Sequence, residues 1–133
     1  MCREEAAEVR GHVDEIEKKG AKLSFVGSGS PAHAKNFAEH LKAPASVSLF
    51  TDPTLESFRA AGLRRSVFRT LGLQSLKNFF RARKKGFKQG RTQGDPWQQG
   101  GSLVVDTSGR VLYRFVSDAP GDHPPPATLL QHL

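Results

Sequence analysis

Leu23-Ser24-Phe25-Val26, then Gly27-Ser28-Gly29-Ser30-Pro31, then Ala34, Phe37, Ala38 and Leu41 spell out a strand, a turn and a helix in succession. The short apolar run suits a half-buried or buried strand, and the later apolar residues recur at steps of three, one and three, which marks one helical face. Ser30 is placed to cap the helix and Pro31 to open it, since proline has no N–H to lose there and its φ is already helical. A glycine-rich turn between strand and helix can also cradle phosphate, but no Lys-Ser/Thr pair follows and no dinucleotide fingerprint is complete. The cap-and-turn reading is therefore preferred.

The same alternation extends in both directions. Towards the N-terminus, Cys2, Ala6, Val9, Val13 and Ile16 follow one another at helical steps, giving one apolar stripe on a helix that Gly20 ends. Glu4 and Glu5 fall in its first turn, where negative charge is favoured. Towards the C-terminus, Val47 to Phe50 reads as a second strand, and Asp52-Pro53 repeats the cap-then-proline device for a helix carrying Leu55 and Phe58 that ends near Gly62. Helix, strand, helix, strand, helix argues for parallel strands joined by crossovers, with helices packed on the sheet. The first helix lacks the strand that would normally begin such a unit.

Residues 64 to 85 combine Val67, Phe68, Leu71, Leu76, Phe79 and Phe80 with Arg64, Arg65, Arg69, Lys77, Arg81, Arg83, Lys84 and Lys85, as one or two basic amphipathic helices broken near Gly72. A loop from Gly86 to Gly101 holds the lone Trp97, read as a packing anchor. Ser102 to Asp106, the turn Thr107-Ser108-Gly109-Arg110 and Val111 to Val116 form the clearest hairpin, so these strands should be antiparallel. After a proline-rich turn, a short last helix presents Leu129, Leu130 and Leu133 to the core.

A chain of 133 residues with 37% apolar side chains suits one domain. It has no run of eighteen apolar residues and no leader pattern, which makes a cytoplasmic protein the default expectation. One cysteine cannot close an intrachain disulfide, so any disulfide chemistry needs a thiol from elsewhere. The net charge of +7 is uneven, because residues 64 to 91 hold half of the 20 Lys and Arg and no Asp or Glu. That segment is most simply a solvated face over a packed apolar one, or else a docking surface for an acidic protein, an anionic membrane or nucleic acid. No nucleic-acid-binding motif accompanies it, which argues against the last.

His12, His33, His40, His123 and His132 are scattered without ligand spacing, and no Gly-x-Ser-x-Gly elbow is present, so neither a metal, a cofactor nor a serine hydrolase is indicated. Asp122-His123 can be an acid/base pair, or Asp122 can simply cap backbone groups in its turn. What remains is the thiol of Cys2. A cysteine at a helix N-terminus meets unpaired N–H groups and partial positive charge that favour the thiolate, with Arg3 adding a full charge; the plainer alternative is a small hydrophobe near a fraying end.

Cys2-Arg3-Glu4-Glu5-Ala6-Ala7, Thr51-Asp52-Pro53, Asn78-Phe79-Phe80-Arg81-Ala82 with Gly86-Phe87, Gly94-Asp95-Pro96-Trp97-Gln98-Gln99-Gly100-Gly101 before Leu103-Val104-Val105-Asp106, and Gly121-Asp122 occur in the order found in the peroxiredoxin-like 2 family. The chain resembles that family, relatives of selenoprotein U within the alkyl hydroperoxide reductase/thiol-specific antioxidant group, over nearly its whole length. The resemblance implies a thioredoxin-like fold, a cytosolic setting and a redox role. Some members are similar to peroxide or prostaglandin-endoperoxide reductases that draw electrons from thioredoxin.

Cys2 matches the second cysteine of the family's Gly-Cys-x-x-Cys-Arg-Glu, so the first cysteine and its strand are expected to lie before Met1. The Pro-x-x-x-Thr-x-x-Cys signature of ordinary peroxiredoxins is absent, and its helper residues cannot be carried over. The expectation is therefore one α/β, thioredoxin-like domain over 1–133 with a basic helical insertion at about 64–91. Its mixed central sheet has strands near 22–27, 46–50, 102–106 and 110–116, helices on both faces, and lacks the usual strand before the first helix. That gap invites a homodimer, strand exchange or an open apolar groove. The expected function is reduction of peroxide or disulfide by Cys2 with Arg3 beside it, an external thiol such as thioredoxin serving as reductant. The alternative is a non-catalytic interaction protein that binds an anionic partner through 64–91.

Overall fold

The computed structural model describes residues 3–63, 98–118 and 122–133. Cys2, the basic segment 64–91 and Trp97 lie outside these described residues. The elements are α1 (Arg3–Arg10), α2 (Val13–Lys18), β1 (Ser24–Gly27), α3 (Pro31–Leu41), β2 (Ser48–Thr51), α4 (Glu56–Ala60), β3 (Gly101–Val105), β4 (Val111–Val116) and α5 (Pro126–Leu130). The chain is α/β, consistent with a thioredoxin-like fold.

The expected first helix is interrupted. Gly11 shares its N–H between the carbonyls of Ala7 and Glu8, and His12 N–H turns back only three residues to Val9, so the α-helical ladder tightens there before α2 resumes. Glycine is a poor helix former, and this is where the ladder gives way. The stripe nevertheless keeps its phase: Ala6, Val9, Val13 and Ile16 are all buried. Gly20, at φ 79°, stops α2 in the left-handed conformation that glycine adopts without a Cβ penalty.

β1 and β2 pair in parallel, with Phe25 opposite Leu49 and Val26 opposite Phe50. The α3 crossover between them begins as expected, with Ser30 as cap and Pro31 in the first turn. Phe37 on α3 meets Phe25 edge-on, with ring centroids 6.2 Å apart and planes at 74°. Ala6, Val13, Phe25, Leu41 and Val47 make one buried cluster, edged by Ala7, Leu23, Phe37, Ala43 and Leu49. On the opposite face Val26 and Phe50 are exposed.

The helix expected at Asp52-Pro53 starts later, at Glu56, because Leu55 takes a left-handed φ of 62° before the chain can turn helical. Asp52 still supplies the capping acid: its carboxylate accepts from Ser57 N–H at 2.7 Å, Ser57 Oγ at 2.6 Å and Thr54 Oγ1 at 2.7 Å. These bonds, led by the Ser57 hydroxyl, hold its pKa down to about 2. A depressed carboxylate stabilises the fold above its unfolded value near 3.8, and that contribution fades as pH falls through about 2. Asp52→Asn should be less stable than wild type at neutral pH, with the difference closing in strong acid, as read by thermal unfolding against pH.

β3 and β4 form the expected antiparallel hairpin, from Gly101 opposite Val116 to Val105 opposite Val111, with a bulge between Val104 and Val105. Asp106 closes its turn by accepting from Ser108 and Arg110, and Gly109 adopts φ 89°. Among the described residues the two strand pairs are not hydrogen-bonded to each other, so in place of the one mixed sheet expected they form two separate two-stranded sheets. α1 reaches both, with Ala6 in the Phe25 cluster and Glu5 bonded to β3. The last helix meets the expectation in part, with Leu129 and Leu130 half-buried. Leu133 is exposed, and it is His132 that packs, its ring stacked on Tyr113 at 4.5 Å.

Candidate functional site

The region around the start of α1 is built from three stretches far apart in sequence. Ala6 and Val9 turn into the core, which sets the roll of the helix and decides where the neighbouring acids point. Glu5 is carried inward, to 9% exposure. Its Oε1 accepts a 2.7 Å hydrogen bond from the hydroxyl of Ser102 on β3. Burial pushes the Glu5 carboxyl above its usual range, and the Ser102 bond opposes that rise without cancelling it.

Glu8, one turn further along, meets His123. Its Oε2 lies 3.1 Å from Nε2 of the imidazole, whose side chain is only 8% exposed. The segment bearing His123 is held back on the hairpin: Ser117 Oγ donates to the Asp122 carbonyl at 2.7 Å, and Asp122 Oδ2 accepts the Asp118 N–H at 3.0 Å. Ser117 N–H in turn donates to the Gly100 carbonyl at 3.0 Å, fastening the strand that carries Ser102. Asp122 caps backbone, and His123 serves α1.

Gly101 determines how closely these parts approach. A Cβ there would lie 2.5 Å from the Phe115 carbonyl oxygen and 2.6 Å from Leu63 Cδ2. Only a residue without a side chain lets β3 lie this close to β4 and to Leu63, and Ser102 is the next residue along. Gln98 adds a bond from Nε2 to the Leu63 carbonyl at 3.2 Å.

Of the site residues expected from sequence, Arg3 is the first residue of α1, and Cys2, the residue before it, lies outside the described residues. The residues not expected are Glu5, Glu8 and Ser102. A signal for Glu5 was present: position 5 precedes Val9 by four and Ala6 by one, so it borders the apolar stripe. Nothing local marks Ser102. Chemically the assembly offers a buried carboxyl able to hold a proton beyond the usual range, and a second carboxylate paired with an imidazole. No group of three His, Cys, Asp or Glu among the described residues is arranged to hold a metal ion, and no helix among them is long and apolar enough to cross a membrane.

Residues 9–119 match the model of the AhpC/TSA antioxidant enzyme family, and the chain belongs to that family. It is also similar to the prostamide/prostaglandin F synthases of Xenopus tropicalis and Xenopus laevis, being 31% identical to each over 90 residues. Those residues make up 64% of this chain and 45% of each relative, so the chain spans about half the length of the curated relatives it matches. No solved structure matches.

Proposed function

We propose that this member of the AhpC/TSA antioxidant enzyme family is a thiol-based redox protein that reduces peroxide or disulfide through Cys2. Membership of an antioxidant enzyme family is the observation that carries the reading. Cys2 is the one thiol in the chain and immediately precedes α1, whose first turn carries the partial positive charge that favours a thiolate.

With a peroxide, the Cys2 thiolate attacks the terminal oxygen, and the O–O bond breaks. Cys2 becomes a sulfenic acid, and the departing alkoxide takes a proton to leave as an alcohol. An external dithiol of the thioredoxin type then condenses with the sulfenic acid, releasing water and forming a mixed disulfide. Its second thiol displaces the Cys2 thiolate and leaves the reductant oxidised. Arg3, next in sequence, adds positive charge in favour of the thiolate. The matched relatives are named for prostamide and prostaglandin F, so a prostaglandin endoperoxide belongs beside hydrogen peroxide among the substrates assayed.

The test is peroxide turnover coupled to a thioredoxin system, together with alkylation of the thiol against pH. The expected outcome is turnover that falls to background in Cys2→Ser, and a thiol that ionises below the ordinary cysteine value of about 8.5. Undiminished turnover in Cys2→Ser, or an ordinary thiol, would end this reading.

A further inference from the structure

We propose that residues 123–133 form a strap that lifts from α1 and β4 as a unit, held down near its two ends by His123 and His132. The strap starts from a fixed point. Asp122 is bolted to the hairpin, its carbonyl accepting from Ser117 Oγ at 2.7 Å and its carboxylate from the Asp118 N–H at 3.0 Å. Beyond it run His123-Pro124-Pro125-Pro126, the rest of α5, and Gln131-His132-Leu133.

The composition of this stretch decides what can hold it. Three consecutive prolines have no N–H to donate, and their fixed φ stiffens the backbone. The N–H groups of Thr128, Gln131, His132 and Leu133 donate to the carbonyls of Pro125, Ala127, Leu129 and Leu130, so these main-chain bonds stay within the strap. Apolar burial adds little. No residue of α5 is buried, Leu133 is 37% exposed, and within 123–133 only Pro124 and the His123 side chain are buried.

The two histidines reach outward. His123 Nε2 lies 3.1 Å from Glu8 Oε2 on α1, and the His132 ring stacks on Tyr113 of β4 with centroids 4.5 Å apart and planes at 20°. Both anchors are on one side of the hairpin. Ser102 stands opposite Phe115 and Val104 opposite Tyr113, so these side chains share a face, and α1 meets that face through Glu5 and Ser102. The strap therefore lies beside α1 on β3 and β4 and ties the two together.

Its hold differs in kind from that of its neighbours. α1 and α2 bury Ala6, Val9, Val13 and Ile16, whereas the strap rests on one polar contact, one ring stack and one proline. A segment with few buried apolar groups opens at a lower free energy than the core around it. The proline run and α5 connect the two anchors stiffly, so releasing one loosens the other. Lifting separates His123 from Glu8 and uncovers the Tyr113 ring.

The test uses the full chain and two readouts. Tyr113 is the one tyrosine, so nitrotyrosine formed with tetranitromethane reports the β4 anchor alone, while hydrogen exchange follows the amides of 128–133. His123→Asn does not alter Tyr113 or its stacking partner. It should nevertheless speed nitration by about five- to thirtyfold, the scale expected for a lost contact of this kind. Exchange at 128–133 should rise by a similar factor, with the amides of α2 and β1 keeping their wild-type rates. Glu8→Ala removes the same contact from its other side and should give the same result, which keeps the test open if His123→Asn fails to fold. Nitration at the wild-type rate in whichever of these variants fold overturns the proposal. So does wild-type exchange at 128–133 that occurs only together with α2 and β1, with the same dependence on denaturant. No step involves Cys2, so the redox reading stands or falls separately.

Discussion

Replacing Phe25 with alanine is expected to cost about 3–5 kcal/mol in unfolding free energy, the range for removing a large aromatic from a packed interior. Phe25 is 6% exposed, lies in the same buried cluster as Ala6, Val13, Leu41 and Val47, and takes the edge of Phe37 against its ring. Its neighbours come from four other parts of the chain, so the void left by alanine has no single side chain free to fill it. A domain of this size is stabilised by only about 5–15 kcal/mol, which makes that a large fraction of the total. Phe50 provides the control. It has the same side chain on the adjacent paired strand but is 56% exposed, and Phe50→Ala should change stability by less than about 1 kcal/mol. Denaturant unfolding of both variants checks the contrast, and equal effects would contradict the core described here.

The second large effect is expected at Gly101. An added methyl would stand 2.5 Å from the Phe115 carbonyl and 2.6 Å from Leu63 Cδ2, both inside van der Waals contact. Leu63 is buried and cannot swing away into solvent. The carbonyl belongs to the strand paired with β3, so moving it disrupts the ladder. Gly101→Ala should cost about 1–3 kcal/mol or more, as overpacking does. It should also displace the Ser102 hydroxyl from the Glu5 carboxyl. Gly100→Ala, whose methyl would meet only Ser117 Oγ at an ordinary 3.5 Å, should be nearly neutral. A Gly101→Ala protein as stable as Gly100→Ala would mean that the close approach of β3 and β4 is not needed.

Much of the architecture is decided by neighbours along the chain. The period of Ala6, Val9, Val13 and Ile16 determines a buried helical stripe, and it survives the break at Gly11 because a single tightened turn leaves the apolar residues on the same side. Ser30-Pro31 determines where α3 starts, and Asp106 with Gly109 determines the hairpin turn, since capping and left-handed φ are satisfied within a few residues. Asp52 shows the limit of such local signals. It caps α4 as expected, but from five residues before Ser57 instead of at the helix boundary, because Leu55 intervenes with its own left-handed turn.

Tertiary structure alone decided the rest. In sequence Glu5 is an acid in a first helical turn, a place where solvent-facing carboxylates are common. It becomes a buried group only because Ser102 arrives 97 residues later on a strand that Gly101 allows to lie close. Likewise Glu8 and His123 are 115 residues apart, and the Asp122-His123 pair suggested by adjacency is split between a backbone cap and α1. A periodic apolar pattern carries its own information because burying one face is favourable whatever covers it. The fate of a polar side chain depends on which distant donor or charge meets it, and no local pattern records that partner.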